Sequence, residues 1–221
     1  MNTVLVVAAH PDDEALGCSG TIAKHIERGD SVHLLFMTDG VASRIGSKNN
    51  AEERLTAAQD AAQILGVNSF TSFNFPDNKM DSIPLLDVVK KIEDKITQLQ
   101  PEVIYTHHVG DLNIDHQVTH KAVMTACRPQ PDFCVKEIYA FEVLSSTEWN
   151  TPGIGFFSPN VFIDVTDYIY IKKQVLKVYS EEMRIIPHSR SIENVIRLSA
   201  LRGNSVGVDY AEAFLLVRKI D

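Results

Sequence analysis

The stretch TVLVVAAHPDDE, residues 3–14, decides the fold of this chain. Its apolar, β-branched run at residues 4–9 is typical of a buried strand. Pro11 ends the strand because proline has no backbone N–H to donate, and three acids at residues 12–14 begin a helical pattern. His10 and these carboxylates therefore follow the carboxyl end of a strand, where open α/β sheets bind ligands. Acids are also common in a first helical turn, so capping alone is the alternative role.

A second group of histidines and acids follows another apolar strand. Residues 107–116 read HHVGDLNIDH, after the apolar residues 103–105 and before a helical pattern. The predicted strand that ends at residues 38–40, Thr-Asp-Gly, adds a third loop on the same edge of the sheet. His and Asp side chains at two strand ends predict one metal site assembled from distant parts of the chain.

Strands and helices alternate along the first 130 residues. The alternation predicts an α/β, Rossmann-like fold: a mostly parallel sheet with helices on both faces and an active site at the C-terminal edge of the strands. The polar residues 41–50 are expected to form a flap near that edge. The predicted strands are residues 4–9, 31–37, 69–75 and 103–106, and the predicted helices are residues 14–28, 51–65, 83–99 and 115–127.

The pattern changes after residue 130. We interpret the chain as a single domain, residues 1–221, with an α/β core at 1–130 and a substrate-facing C-terminal part at 131–221. In the C-terminal part the patterns predict strands at residues 135–143, 161–165 and 213–217, and helices at 168–183 and 192–202.

Composition and charge argue against several classes of function. The 221 residues carry a net charge of −8, which argues against nucleic acid as a partner because phosphate binding requires a basic surface. No apolar run approaches the roughly 20 residues of a membrane span. The first residues lack the basic region of a signal peptide. The three cysteines form no C-x-x-C pattern, which suits a reducing compartment, so we expect a cytoplasmic protein.

The motifs resemble those of a known family. Residues 9–14, Ala-His-Pro-Asp-Asp-Glu, followed by Gly17, by residues 38–40 and by Asp115-His116, are similar to the motifs of the LmbE-like (PIG-L) metal-dependent N-deacetylases. The resemblance implies a hydrolase that uses Zn²⁺, or alternatively Fe²⁺, to remove an N-acetyl group from a GlcNAc-type amino sugar linked to a nucleotide, lipid or other conjugate. It implies a small-molecule substrate and leaves a homo-oligomer open.

The resemblance assigns roles to individual residues. It implies that His10, Asp13 and His116 bind the metal and that Asp12 is the general base. The chemistry of the residues agrees, because imidazole nitrogen and carboxylate oxygen are ligands that zinc prefers. Asp115 is expected to orient or charge-stabilise an imidazole during catalysis, or to be only the N-cap of the following helix.

Substrate contacts are implied at two further places. Arg54 stands eleven residues before Leu65, at the spacing of an arginine that reaches the substrate in the family, with a solvated surface position as the alternative. In the polar loop at residues 187–190, His188 or Arg190 is expected to face the substrate, and a solvated loop is the alternative.

The sequence departs from the family at Asn113. Many relatives have a histidine there, which donates to the oxyanion, and an asparagine amide cannot carry a positive charge. His107 or His108 is the candidate replacement, although either can equally be a strand-end histidine without a role. Asp111 and Asn113 are alternatively expected to hydrogen-bond sugar hydroxyls.

Other functions remain open at this point. One is an amidase of a larger thiol or antibiotic conjugate, and another is a non-catalytic α/β module that binds metal or sugar at the same acidic edge. The presence of all three ligand positions and of the candidate base weakens the second. Non-haem iron oxygenases also use two histidines and one carboxylate, but they need no spare carboxylate beside the metal.

Overall fold

The computed structural model describes residues 1–40, 50–131, 133–153 and 155–221, and in it one sheet of seven strands forms the centre of the molecule. The expected flap falls almost entirely on residues 41–49, which lie outside the described residues. The strands are β1 (Thr3–Ala8), β2 (Ser31–Thr38), β3 (Ser69–Phe75), β4 (Val103–His107), β5 (Glu137–Phe141), β6 (Val161–Asp164) and β7 (Ala211–Lys219).

The strand order is β3-β2-β1-β4-β5-β7-β6. The first five strands of this order run parallel, and β7 pairs antiparallel with both β5 and β6. The prediction of a mostly parallel α/β sheet is therefore confirmed. The chain runs outward from β1 through β2 and β3 and then returns to β4, on the other side of β1. Ligands bind at such a reversal of strand order, so both motifs emerge at the favoured position.

Helices cover both faces of the sheet, as predicted. Buried residues of β1 alternate between the two cores: Val4 and Val6 pack on one side, Leu5 and Val7 on the other. Burial on both faces explains why this strand is apolar throughout. The helices are α1 (Asp13–Gly17), α2 (Ser19–Glu27), α3 (Asn50–Leu65), α4 (Leu85–Leu99), α5 (Ile114–Ala126), α6 (Ile169–Val178) and α7 (Ile192–Asn204). Among the described residues, no helix has the length and apolar character needed to cross a membrane.

The single helix predicted at residues 14–28 is wrong, because the chain breaks at Cys18 (φ −150°, ψ 17°) into α1 and α2. A buried ion pair, Lys172 with Glu212 (Nζ–Oε1 2.6 Å), occupies the break. Lys172 donates to two carbonyl oxygens of α1, and Glu212 accepts from two backbone N–H groups of the first turn of α2. Two distant charges thus satisfy the backbone groups that the break leaves unpaired.

The C-terminal part completes the same sheet. Its elements are mostly shorter than predicted: the strand expected at residues 135–143 is β5, and the helix expected at 168–183 ends at Val178. The strand expected at 213–217 is longer, because β7 extends from Ala211 to Lys219 along both β5 and β6. Turns occupy most of residues 179–191, close to the site formed by the two motifs.

Candidate active site

Three side-chain atoms converge where β1 and β4 end. His10 Nδ1 lies 3.2 Å from Asp13 Oδ2, His116 Nε2 lies 3.3 Å from Asp13 Oδ2, and the two imidazole nitrogens are 3.3 Å apart. His10 and Asp13 belong to the turn that joins β1 to α1, and His116 lies in the first turn of α5. All three residues are buried.

This triangle fits a metal ion. Ligands about 2.0–2.1 Å from a tetrahedral zinc ion lie roughly 3.3–3.4 Å from one another, which is close to the observed separations. Asp13 Oδ1 is buried and has no hydrogen-bond partner among the described residues. Two imidazole nitrogens and one carboxylate oxygen also form a donor set that suits a catalytic zinc, with the fourth position left for water.

The outer nitrogen of each imidazole contacts a carboxylate. His10 Nε2 lies 3.0 Å from Asp115 Oδ2 and 3.2 Å from Asp77 Oδ1. His116 Nδ1 lies 3.1 Å from Asp111 Oδ1. Such outer carboxylates fix the tautomer of a metal-binding histidine, so that its inner nitrogen is unprotonated. The histidine–aspartate groups formed by these outer contacts could also hold an ion. If an ion is bound in the inner triangle, however, the outer carboxylates can accept hydrogen bonds from the outer imidazole nitrogens.

The electrostatics of the cluster favour a cation. Burial lowers the pKa of His116, but the carboxylates of Asp13 and Asp111 outweigh burial and raise this pKa to about 9. Burial also opposes protonation of His10, yet Asp115, Asp13 and Asp77 raise its pKa well above the usual value. The carboxylates therefore stabilise positive charge at the centre, which a divalent ion provides while displacing the protons.

Asp12 lies beside the triangle, and its carboxylate contacts two arginines. Its backbone is in the left-handed region (φ 112°, ψ −26°), a conformation that costs a residue other than glycine about 1–3 kcal/mol. This turn directs two consecutive carboxylates differently, with Asp13 against the histidines and Asp12 against arginines. Glu14 supports the turn, because its carboxylate accepts from the Asp12 backbone N–H (3.0 Å) and from the Tyr179 hydroxyl (2.7 Å).

Each carboxylate oxygen of Asp12 contacts one arginine. Arg54 Nη2 lies 3.3 Å from Oδ1, and Arg190 Nη1 donates to Oδ2 at 2.9 Å. Burial raises the pKa of Asp12, and the two guanidinium groups oppose this shift. Arg54 also pairs with Glu182, so that two acids and two arginines form a chain along one wall of the site.

A cavity of about 100 Å³ opens between the triangle and this chain of charges. The cavity is almost entirely polar in its lining, which suits a hydroxyl-rich ligand. It is lined by His10, Asp12, Asp13, Gly40, Arg54, Asp77, Asn78, Asn113, His116, Glu182 and Arg190.

The structure separates the predicted substrate residues into two groups. Arg54 and Asn113 line the cavity. Asn113 is also the N-cap of α5, since its Oδ1 accepts from the Asp115 backbone N–H at 2.8 Å. The alternative that Asp115 itself is the N-cap is therefore wrong. Asp115 instead accepts from two backbone N–H groups of residues 78–80 and contacts His10.

Three predicted substrate residues lie outside the cavity lining. Asp111 is fully buried, accepts hydrogen bonds from Ser146 and Thr147 and lies 3.1 Å from His116 Nδ1, so its carboxylate is turned to protein partners and not to the cavity. His188 accepts from the Arg190 backbone N–H through Nδ1. The position of Asp111 argues against direct contact with the substrate, whereas substrate contact by His188 stays a prediction.

His107, the third of them, is placed as a supporting residue. Its side chain is fully buried and stacks on His116, with ring centroids 3.9 Å apart. Its Nε2 accepts the Ala9 backbone N–H at 2.8 Å, which requires that this nitrogen be unprotonated. Burial holds its pKa well below the usual value, so it remains neutral and does not replace the charge missing at Asn113.

Three residues of the cavity lining were missed, namely Asp77, Asn78 and Glu182. Asp77 and Asn78 lie in the turn that directly follows β3, and their position at the end of a further parallel strand was a usable signal. Glu182 lies in a turn after α6 without a motif around it, so the sequence carried no signal for its contact with Arg54.

The chain is similar to known proteins in sequence and in fold. The family described as PIG-L, GlcNAc-PI de-N-acetylase, matches residues 5–127, more than half of the chain. The uncharacterized deacetylase YaiS of Escherichia coli (strain K12) is 31% identical over 180 residues, covering 79% of this chain and 88% of YaiS. The diacetylchitobiose deacetylase of Thermococcus kodakarensis is 26% identical over 199 residues, covering 81% of this chain and 69% of that enzyme.

A solved structure supports the fold, and one relative has a different activity. The conserved protein TT1542 from Thermus thermophilus superposes with a TM-score of 0.80 at 26% identity, covering 100% of this chain and 97% of that one. The 4-oxalmesaconate hydratase of Pseudomonas putida is 28% identical over 189 residues, covering 75% of this chain and 70% of the hydratase. Similarity at this level therefore does not by itself fix the reaction.

Proposed function

Because this chain belongs to the PIG-L (LmbE-like) family, we propose that it is a metal-dependent N-deacetylase acting on a GlcNAc-type 2-acetamido sugar. The substrate is free or carried on a conjugate, and the products are acetate and the amine. The observation that carries the proposal is the convergence of His10 Nδ1, Asp13 Oδ2 and His116 Nε2 beside the Asp12 carboxylate.

His10, Asp13 and His116 would hold the ion, for which we propose Zn²⁺, with Fe²⁺ as the alternative. A divalent ion held there supplies Lewis acidity, which polarises the amide carbonyl and makes water a stronger acid. Asp115 and Asp111 contact the outer nitrogens of the two imidazoles. These contacts orient the rings and leave their inner nitrogens unprotonated for the ion.

Asp12 would move the proton. It lines the cavity next to the ligands without belonging to the triangle. As the oxygen of water forms a bond to the acetyl carbon, the Asp12 carboxylate accepts the proton that the water loses. When the carbon–nitrogen bond breaks, the same carboxyl group returns that proton to the departing nitrogen. The cavity residues Asn113 and Arg54 would contact the polar atoms of the substrate.

The proposal is tested by acetate release from a panel of N-acetylglucosamine derivatives, with Asp12→Asn beside the wild type. We expect the wild type to release acetate. The variant should bind one metal ion but lose roughly 10²–10⁴-fold in kcat, because an amide cannot accept the proton. Asp94→Asn, an exposed substitution on α4, is the matched control and should retain full activity.

The panel also separates the other functions. Release of acyl groups from thiol conjugates alone would favour the conjugate amidase. Sugar binding that Asp12→Asn leaves unchanged, without acetate release by either protein, would favour the binding module. Because one relative is a hydratase, 4-oxalmesaconate is included, and addition of water to it without acetate release would replace the deacetylase proposal.

A further inference from the structure

The two arginines at Asp12 come from different parts of the chain. Arg54 lies on α3, within the residues that match the family. Arg190 lies in the turn before α7, beyond residue 127, where that match ends. Its Nη1 donates to Asp12 Oδ2 at 2.9 Å, the shorter of the two arginine contacts with Asp12. One of the two arginines that contact the candidate base therefore lies outside the part of the chain that matches the family.

Arg190 is itself held firmly. Its Nε donates to Ser145 Oγ at 2.8 Å, so two atoms of the guanidinium are anchored. Its backbone N–H donates to His188 Nδ1 (3.0 Å), and its carbonyl oxygen accepts from the Arg184 N–H (3.0 Å). The turn at residues 184–191 is thus closed by its own hydrogen bonds. Together with the bond to Ser145, they restrict the guanidinium to one position.

Arg54 cannot perform the same task alone. It is shared between Asp12 and Glu182 and is almost completely buried, with 7% of its side chain exposed. Within the part of the chain that the structure describes, Arg190 pairs with one acid, and 20% of its side chain is exposed. If Arg190 is removed, Asp12 keeps a described side-chain partner on one oxygen only, and its carboxylate can rotate away from the cavity.

We propose that Arg190 is a positioning residue for the deacetylation reaction: its guanidinium, anchored on Ser145, fixes the orientation of the Asp12 carboxylate towards the cavity. The inference rests on the proposed function of Asp12 as the base. Arg190 acts through Asp12 and is not required for binding of the metal or of the sugar. The Lys side chain can reach a carboxylate with one ammonium group but cannot bridge Ser145 and Asp12 with a planar fork.

The test compares Arg190→Ala, Arg190→Lys and the wild type, all loaded with Zn²⁺. We expect Arg190→Ala to lower kcat about 10–100-fold, because misplacement of a reacting group by about 1 Å has effects of this size. KM should stay within about 3-fold, the zinc content should remain one per chain, and Arg190→Lys should recover part of kcat. Arg184→Ala is the matched control, because among the described residues the Arg184 side chain donates only to carbonyls of residues 181 and 183. It should keep the wild-type kcat.

Crystal structures of zinc-loaded wild type and Arg190→Ala provide a second readout that does not depend on activity. We expect the Asp12 carboxylate to rotate or to lose its order in the variant, with the three metal ligands unchanged. An unchanged Asp12 overturns the inference, as does an unchanged kcat or a rise in KM alone, which would make Arg190 a substrate ligand. If the wild type releases no acetate, the proposed function fails, and the position of Asp12 in the two structures still decides the role of Arg190.

Discussion

Residues 1–130 and residues 131–221 contribute different parts of the candidate site. The first region supplies the three atoms of the triangle, from His10, Asp13 and His116, in the segments that follow the adjacent strands β1 and β4. The second region supplies Arg190 and Glu182, which lie on turns and act on the charges around Asp12. One region would therefore bind the ion, and the other would orient the groups beside it.

The difference lies in how position is determined. Parallel strands that pair directly must end side by side, so the sheet itself brings the first motif to the second. The turns of the C-terminal part reach Asp12 only because α6, α7 and β7 dock against the core. If this comparison is right, changes to the triangle or to the carboxylates that contact its histidines weaken or abolish metal binding, and changes in the second region leave metal binding intact.

The largest effect is expected for Asp13→Ala. Its Oδ2 is the corner of the triangle that both imidazoles contact, so two neutral ligands would be left for the ion. We expect no retained zinc after dialysis and a loss of turnover of roughly 10⁴-fold or more. Elemental analysis and the acetate assay measure the two quantities.

Circular dichroism controls for folding of this variant, which should match the wild type, and Asp94→Asn again serves as the matched substitution. Retention of one zinc ion with full turnover by Asp13→Ala would contradict the ligand assignment. The alternative group formed by His10, Asp77 and Asp115 would then become the candidate centre.

A smaller effect, on stability, is expected for Lys172→Met in the second region. The substitution leaves the Glu212 carboxylate buried without its cation at the break between α1 and α2. Removal of one partner of a buried pair typically costs about 3–5 kcal/mol. Urea denaturation at fixed zinc concentration should show this loss in the free energy of unfolding, while zinc affinity of the folded protein changes little.

The double variant Lys172→Met with Glu212→Gln sharpens this prediction. Since it removes both charges, it should recover part of the lost stability, because no uncompensated charge remains. A fall in zinc affinity of more than about 10-fold in Lys172→Met would break the comparison, since the second region would then shape the metal ligands as well.

These two regions also differ in what the sequence could predict. The apolar strands that end in His and Asp predicted that these side chains would meet, because paired parallel strands bring their ends together. The family resemblance then selected His10, Asp13 and His116 among them. The contact of Arg190 with Asp12 depends on a turn between α6 and α7, and turns carry no periodic pattern from which a distant partner can be read. The break at Cys18 was missed for the same reason: helix propensity is local, whereas Lys172 and Glu212 stabilise the break from residues far along the chain.

The smallest effect is expected for Asp115→Asn, in the first region. Asp115 accepts from two backbone N–H groups and contacts His10 Nε2, which must carry the proton if Nδ1 is to bind metal. An asparagine that turns its NH₂ group towards His10 favours the opposite tautomer, with Nδ1 protonated and unable to bind. One that turns its oxygen there leaves a backbone N–H without an acceptor.

Either arrangement weakens the ion's binding without removing a ligand, so zinc affinity should fall about 10–100-fold, measured by competition with a chelator. Turnover at saturating zinc should fall much less, because the inner triangle can still form. Asp87→Asn, an exposed position in the first turn of α4, should leave zinc affinity unchanged. If Asp115→Asn binds zinc as tightly as the wild type, the tautomer of His10 is set elsewhere, and Asp77, 3.2 Å from the same nitrogen, is the residue to change next.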